Sequence, residues 1–527
     1  MAALITRSSW RILAGVIGVE FVSGILGAYY TPLTVPLARS VGLADGDWNW
    51  VEAAMTLFGA IIIPVMTKVG DRIGHKKALL AAVGATAAAA WWVVAGGGIV
   101  PVMLAFSLMS FSAVWVALEL ALLRSSFAGA ADSAEKVSAA SAALIVSFMA
   151  GSVGAALFGG QFFTRSGGWA ALEAAMRAGA DVTASAAFTG ALRMTLLVPA
   201  VGVTLVVPLV AFLVPQGRRP PPERQDLAGM AALIGILLLV VGGLSLVKLL
   251  GPQHVAGWAV IALGLAAVYP FGRHQLRAPQ PTVDLRVLSR RSVWPYQAVS
   301  VLLGVGYTAT QIPLVTFAST DPAVHGYGLA ADSGEVSVIM AVMIVVISAT
   351  AGLLTAFGAR LDKLALLRVA PFVHAGEFAV FLVWHTQMWH ACLAVAIGGV
   401  GAGILVAWLP ATAANAAPPG KTASLVGLVT LGRVVGTAVG SAVFAVVLGA
   451  VGRTSQTAAA LPGYLAVFAI ALASSLAGGA VLACGARPPL AEAVSAPPAL
   501  HPARAVPGVE PAALATAQLT SKEDNHA

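Results

Sequence analysis

Charge is what this chain has least of. Only 10% of its 527 residues are Asp, Glu, Lys or Arg, where a soluble domain carries about 25%. That scarcity excludes a solvated globular surface. Cysteine is nearly absent: Cys392 and Cys484 lie far apart within apolar segments, so neither a disulfide framework nor a cysteine metal site is expected. There is no phosphate-binding loop ending in Lys-Ser or Lys-Thr, which argues against direct drive by ATP. A potassium-filter repeat is missing too, as is the clustering of His or Asp at a membrane face that an integral membrane enzyme would show. No catalytic residue, metal or cofactor is therefore expected.

What is abundant is apolar: 59% of residues are hydrophobic and the mean hydropathy is +0.89. Runs of 17–25 such residues each suffice to cross about 30 Å of hydrocarbon as a helix. Fourteen spans follow, near 12–32, 50–68, 78–98, 101–123, 139–163, 193–214, 227–249, 256–272, 293–318, 335–358, 365–384, 389–412, 423–448 and 462–483. The fold class is an all-α polytopic membrane protein. The first run is too long for a signal sequence and lacks a cleavage site, so it reads as a retained helix 1. The 56 glycines suit close helix packing in lipid. The net charge of +8 could suggest nucleic acid, but its distribution points to membrane orientation. Of the 30 Lys and Arg, all but Arg39, Arg165, Arg177, Arg193, Lys248, Arg453 and the intramembrane Arg433 fall on one face. That face reads as cytoplasmic and carries both termini. The expected setting is a plasma (inner) membrane bilayer, multi-pass, with no nucleic-acid partner and a monomeric chain.

Four regions are expected: an N-terminal six-helix half over 1–215, a Pro-rich linker and helix pair 7–8 over 216–285, a C-terminal six-helix half over 286–485, and a disordered tail over 486–527. Loop 5–6, about 164–192, is the longest external loop and reads equally as a short amphipathic helix or a solvated loop.

The stretch Pro64–Leu79, PVMTKVGDRIGHKKAL, packs six charged or histidine side chains between two spans. Its Gly70 and Gly74 should allow a sharp turn outside the hydrocarbon. GARLDKLALLR at Gly358–Arg368 echoes it between helices 10 and 11. The first stretch resembles the loop between helices 2 and 3 of the major facilitator superfamily, roughly G-x-L-x-D-R-x-G-R-R/K; Asp71, Arg72, Gly74 and Lys76 fall on that pattern. The fourteen-helix layout resembles the superfamily's drug:proton antiporter branch. So does Leu409–Leu448, with a Pro-Gly loop before a helix holding Arg433, Gly436 and Gly440. The branch's usual helix-5 motif survives as Gly151, Gly159 and Gly160, with Ala156 where proline is usual. Gly27 stands where helix 1 usually has Asp, and Met109–Ser112 lacks the usual helix-4 Arg.

The resemblance implies two halves rocking about a central site lined by helices 1, 4, 9 and 12. Candidate substrate contacts are Ser23, Gly24, Gly27, Trp115, Tyr307, Gln311 and Trp408, though ordinary packing explains Tyr307, Gln311 and Trp408 as readily. The cytoplasmic gate would comprise Asp71, Arg72, Gly74, Lys76, Glu119 and Arg433. Asp71 would accept from the start of helix 13, and Glu119 would pair with Arg72 or a neighbouring cation. Arg433 should face the protein interior, hydrogen-bonded to carbonyls or a carboxylate, and reads either as an anion contact or coupling partner or as a helix-packing arginine. Glu20 is the expected proton carrier: an ionised carboxylate at that depth is costly, so its neutral form is favoured, and Ser23, Gly24 and Gly27 should leave room beside it; the other reading is a permanently protonated Glu20 bonded to a neighbouring helix, with no part in coupling. His374 and Glu377, at i and i+3 on helix 11, look like a proton relay or a metal pair, but two ligands make an incomplete metal site and the helix maps to the periphery, so a structural pair is the favoured reading. The function expected is proton-driven efflux of small amphipathic organic compounds. A dedicated exporter or importer of one natural product or siderophore, or a non-transporting membrane sensor or enzyme, is the alternative.

Overall fold

The computed structural model describes residues 7–127, 133–215, 226–251, 253–279, 281–290, 293–415, 422–452 and 458–485. The Pro-rich linker, the Pro-Gly loop before helix 13 and the tail lie outside the described residues. All regular elements among these are helices, and fourteen are long and apolar enough to cross a membrane. They are α1 (Arg11–Ser40), α2 (Trp48–Ile73), α3 (His75–Ala95), α4 (Ile99–Phe127), α5 (Ala139–Arg165), α6 (Ala186–Leu213), α7 (Leu227–Val247), α8 (Val255–Arg277), α9 (Trp294–Ala318), α10 (Ser333–Phe357), α11 (Lys363–Val383), α12 (Met388–Ala413), α13 (Gly427–Ala450) and α14 (Leu461–Gly485). The face on which α1 begins is here the basal side, and the opposite face the distal side.

Two boundaries differ most from the sequence reading. α1 does not stop near residue 32; a 3₁₀ turn at Thr31–Leu33, holding Pro32, carries the chain on to Ser40. α6 starts at Ala186, seven residues early, because Ser185 caps it by accepting from the Phe188 N–H at 3.3 Å. The charged stretch is tighter than a loop. α2 runs to Ile73 and α3 begins at His75, leaving Gly74 alone, at φ +98°, to make the corner. Gly70 is helical and buried, so of the two glycines only Gly74 supplies the turn. Between α5 and α6 a short helix, Gly168–Arg177, buries Trp169, Leu172 and Ala175 along one edge.

Helix packing follows one scheme twice. α1 crosses α5 and α9 crosses α13, the two most extensive pairings; α3 packs on α6 and α11 on α14. Both major crossings are built from glycine on each helix. A Cβ at Gly24 or Gly151 would collide with the backbone carbonyl of Phe148 or Phe21, and one at Gly304 or Gly436 with that of Arg433 or Val301. Two further contacts, α2 on α13 and α5 on α10, are the same contact with the sets of six exchanged. The α7–α8 pair has no counterpart in this scheme. It attaches through Leu237 and Val241 of α7, which pack with Ala53, Leu57 and Ala60 of α2 and Ala438 and Ala442 of α13. α8 is the least covered crossing, presenting Val255, Trp258, Leu263, Leu265 and Tyr269 outward.

Candidate transport cavity and buried carboxyl pair

Between the two sets of helices lies a cavity of two lobes, of about 320 Å³ and 240 Å³. The distal lobe is walled by the break in α1 from Ser23 to Thr34, by the first turns of α2, and by α4 around a second 3₁₀ segment, Ser110–Val114. These breaks expose polar groups that straight helices would consume, and local bonds satisfy them. Thr34 Oγ1 donates to the Thr31 carbonyl at 2.8 Å, and Ser110 Oγ to the Met55 carbonyl at 2.6 Å. Thr31 Oγ1 donates to Gln311 Oε1 at 3.1 Å, joining α1 to α9. The basal lobe is walled by α9, α10, α12 and α13. Gly27, Phe148 and Tyr307 border both lobes; the Phe148 ring lies over Gly27, where a Cβ would meet its Cζ at 3.7 Å. Apolar walls with a few convergent polar groups are what small-molecule sites present.

The expected cavity residues divide. Ser23, Gly27, Tyr307 and Gln311 line it. Gly24 does not, because it faces α5 at the glycine crossing. Trp115 is wholly enclosed in the core, and Trp408 packs over Gly358 in a cluster with Leu405 and Leu409. Glu52, four residues into α2, lines the distal lobe, and sequence reasoning passed over it because its span placed it near the helix end. Arg433 lines the basal lobe and stays exposed there. Its expected hydrogen bonds to carbonyls or a carboxylate are not made among the described residues; an open lobe can hydrate a guanidinium, so no protein partner is required.

Glu20 and Glu119 form the second feature. They are 3% and 0% exposed, and the two carboxyls interact with each other. Glu20 Oε1 and both Glu119 oxygens are buried without a hydrogen-bond donor. This corrects two expectations. Glu119 faces α1 rather than Arg72, which is exposed, and the space expected beside Glu20 at Gly24 is filled by α5. Ser23, three residues on, is where this face of α1 reaches the distal lobe.

At the basal corner, Asp71 Oδ1 pairs with His75 Nε2 at 3.2 Å, closing its own turn rather than reaching α13. His75, standing where the resembled motif has Arg or Lys, is four residues on and so one turn away. Lys76 Nζ donates to the Ala211 carbonyl of α6 at 2.9 Å. A Cβ on Gly70 would touch Leu118 Cδ2 at 2.8 Å, so the corner lies against α4 beside Glu119. The helix-5 glycines serve different neighbours: Gly151 and Gly159 meet α1, whereas Gly160 meets α10, its N–H donating to Ser337 Oγ at 3.1 Å. In the second set of helices His374 Nδ1 lies 3.7 Å from Glu377 Oε2, and Thr310 Oγ1 donates to Glu377 Oε1 at 2.8 Å.

The sequence model of the Major Facilitator Superfamily matches residues 16–441. The chain belongs to the major facilitator superfamily. No curated protein matches its sequence. Solved structures share the fold at low identity. A peptide transporter POT in complex with sulfate is 15% identical, with TM-score 0.60, covering 92% of this chain and 95% of its own. The nucleoside transporter NupG is 13% identical, with TM-score 0.55, covering 89% and 98%. The human organic anion transporter MFSD10 (TETRAN) is 13% identical, with TM-score 0.55, covering 91% and 100%. The superfamily is one of transporters, not enzymes.

Proposed function

We propose that this superfamily member is a secondary active transporter that exports small amphipathic organic molecules in exchange for protons, by alternating access. The observation that carries the reading is the Glu20–Glu119 pair. Two carboxyls set together in an apolar surround, with neither a cation nor a donor on three of their four oxygens, cannot both be ionised, so the pair holds at least one proton. Water or a cation arriving through the distal lobe at Ser23 stabilises the ionised form and releases that proton. Closure of the lobe favours its recapture. Such a linkage between cavity hydration and proton occupancy is what exchange across the membrane needs. The excess of basic residues on the basal side supports a cytoplasmic orientation for that face, and the Asp71–Lys76 corner, packed on α4 and α6, serves as the basal gate.

The test uses purified protein in vesicles with an imposed pH gradient. Glu20→Gln and Glu119→Gln keep side-chain shape but remove the titrating group, and each should slow proton-driven transport about tenfold or more. Substrate exchange without a gradient should persist. Wild-type gradient-driven rates in both variants would remove the pair from the mechanism. A panel of amphipathic compounds, with and without a protonophore, fixes direction and substrate range.

A further inference from the structure

Two ionisable side chains in the cavity, one acidic and one basic, do not meet. Glu52 opens on the distal lobe and Arg433 on the basal lobe, and among the described residues neither side chain has an ion-pair or hydrogen-bond partner. Tyr307, which borders both lobes, is within electrostatic reach of each. Along α9 the two lobes run from Ser300 to Ile312, about 18 Å at 1.5 Å per residue. Most of the exposed wall is apolar, with Leu26, Met55 and Ile312 on the distal side, Leu303, Ile347 and Leu405 on the basal side and Phe148 at the waist, and uncharged polar groups such as Ser23, Gln311 and Thr430 are set among them.

We infer that the cavity selects zwitterionic amphipathic molecules, holding a cationic group at Glu52 and an anionic group at Arg433 with the apolar body across Phe148 and Tyr307. A charged side chain kept in a membrane protein's interior without a protein partner is costly, and its use is to meet a charge that comes and goes. A substrate of one sign would satisfy one of the two and leave the other unmatched in a partly desolvated site. A molecule with both charges, spaced along an apolar body, satisfies both at once. Arg433 presents a planar fork suited to two-point binding of a carboxylate. Glu52 accepts from an ammonium.

The inference rests on this cavity being the transport site proposed above. It is tested by equilibrium binding without a pH gradient, which does not involve the Glu20–Glu119 proton step and so fails separately from it. The probes are ω-amino carboxylic acids of six to twelve carbons, with the n-alkylamine and n-alkyl carboxylate of each length as single-charge controls, titrated calorimetrically into purified protein in detergent. The expected result is that one chain length of the amino acids binds about tenfold or more tighter than either control. Glu52→Gln should weaken the amino acid and amine while sparing the carboxylate, and Arg433→Gln should do the reverse. Arg433→Lys and Glu52→Asp keep the charge and should keep the preference, which separates charge matching from damage to the fold. The inference is overturned if no amino acid in the series binds, if either control binds as tightly, or if both neutral variants weaken all probes equally.

Discussion

A carboxylate's depth along a helix can be read from sequence; the direction in which it points cannot. Glu20 sits eight residues into an apolar run, which was enough to single it out. Its partner was not legible, because Glu119 lies close to the end of its span, beside a row of cations that offered an obvious but unused match. The rotation of α4 decides the outcome by turning Glu119 toward α1, where it is 0% exposed. Glu52 was missed for the related reason that α2 enters the cavity by its first turns. Because the two buried carboxyls interact, their contributions should not add. The Glu20→Gln/Glu119→Gln double variant is expected to lose little more gradient-driven transport than the worse single variant. Independent losses that multiply would mean that the residues act at separate steps.

At the scale of the helix, the inserted α7–α8 pair shows how a short polar knot fixes a large apolar element. Asp226 precedes α7 and caps it, Oδ1 accepting from the Gly229 N–H at 2.8 Å and from His274 at 2.8 Å. Its Oδ2 accepts from Gln275 at 3.0 Å and from the Thr282 N–H at 3.3 Å. One side chain thereby ties the start of α7 to the end of α8 and to the segment leading into α9. Burial pushes the Asp226 carboxyl up, but the bonds from His274, Gly229, Thr282 and Gln275 outweigh it and hold the group at about 2. A carboxyl lowered in the fold contributes stability that is full above its unfolded value, about 3.9, and is lost as pH falls toward its folded value. Asp226→Asn should therefore lower the melting temperature of the detergent-solubilised protein by a roughly constant amount above about pH 4, with the difference from wild type shrinking below that. A gap independent of pH would show that the amide preserves none of the knot and that charge plays no part in it. None of this could be seen in advance. The fourteen apolar runs were visible because hydrocarbon thickness dictates their length, whereas a cap drawing on positions 226, 274, 275 and 282 exists only once two helices stand side by side. The basal corner teaches the same lesson. The echo between Gly358 and Arg368 is real in sequence, but Asp362 caps the start of α11 through the Leu364 and Ala365 N–H groups, while Asp71 belongs to the last turn of α2 and pairs with His75. Asp71→Asn should slow transport while leaving equilibrium binding of the amino-acid probes unchanged, because it loosens a corner rather than the cavity. Weakened binding in that variant would move Asp71 out of the gate.

Alternating access asks the whole molecule to move two sets of helices past each other, so contacts within a set and contacts between sets must respond differently to the same insult. The helix-5 glycines allow that comparison on a single helix. Gly151 lies in the α1 crossing, where a side chain would strike the Phe21 carbonyl; Gly160 lies in the α10 crossing, where it would strike the Ser333 carbonyl; Gly154 meets nothing within 4 Å. Backbone carbonyls do not yield as the end of a flexible side chain does. Gly151→Val should thus damage the packing of one rigid set, lowering thermal stability and yield. Gly160→Val should instead pry the two sets apart at the distal side while each stays folded, displacing the equilibrium toward states in which the distal lobe is open. Ser23 on the wall of that lobe is the place to read the change, using Ser23→Cys in a background with Cys392 and Cys484 replaced. A membrane-impermeant maleimide added from the distal side should label Cys at 23 several-fold faster when Gly160→Val is present, with transport reduced about tenfold or more. Gly154→Val should match the parent in labelling, transport and melting temperature. Equal loss of stability in the Gly151 and Gly160 variants, with no gain in labelling, would mean that α5 and α10 belong to one rigid unit and that the moving boundary runs elsewhere.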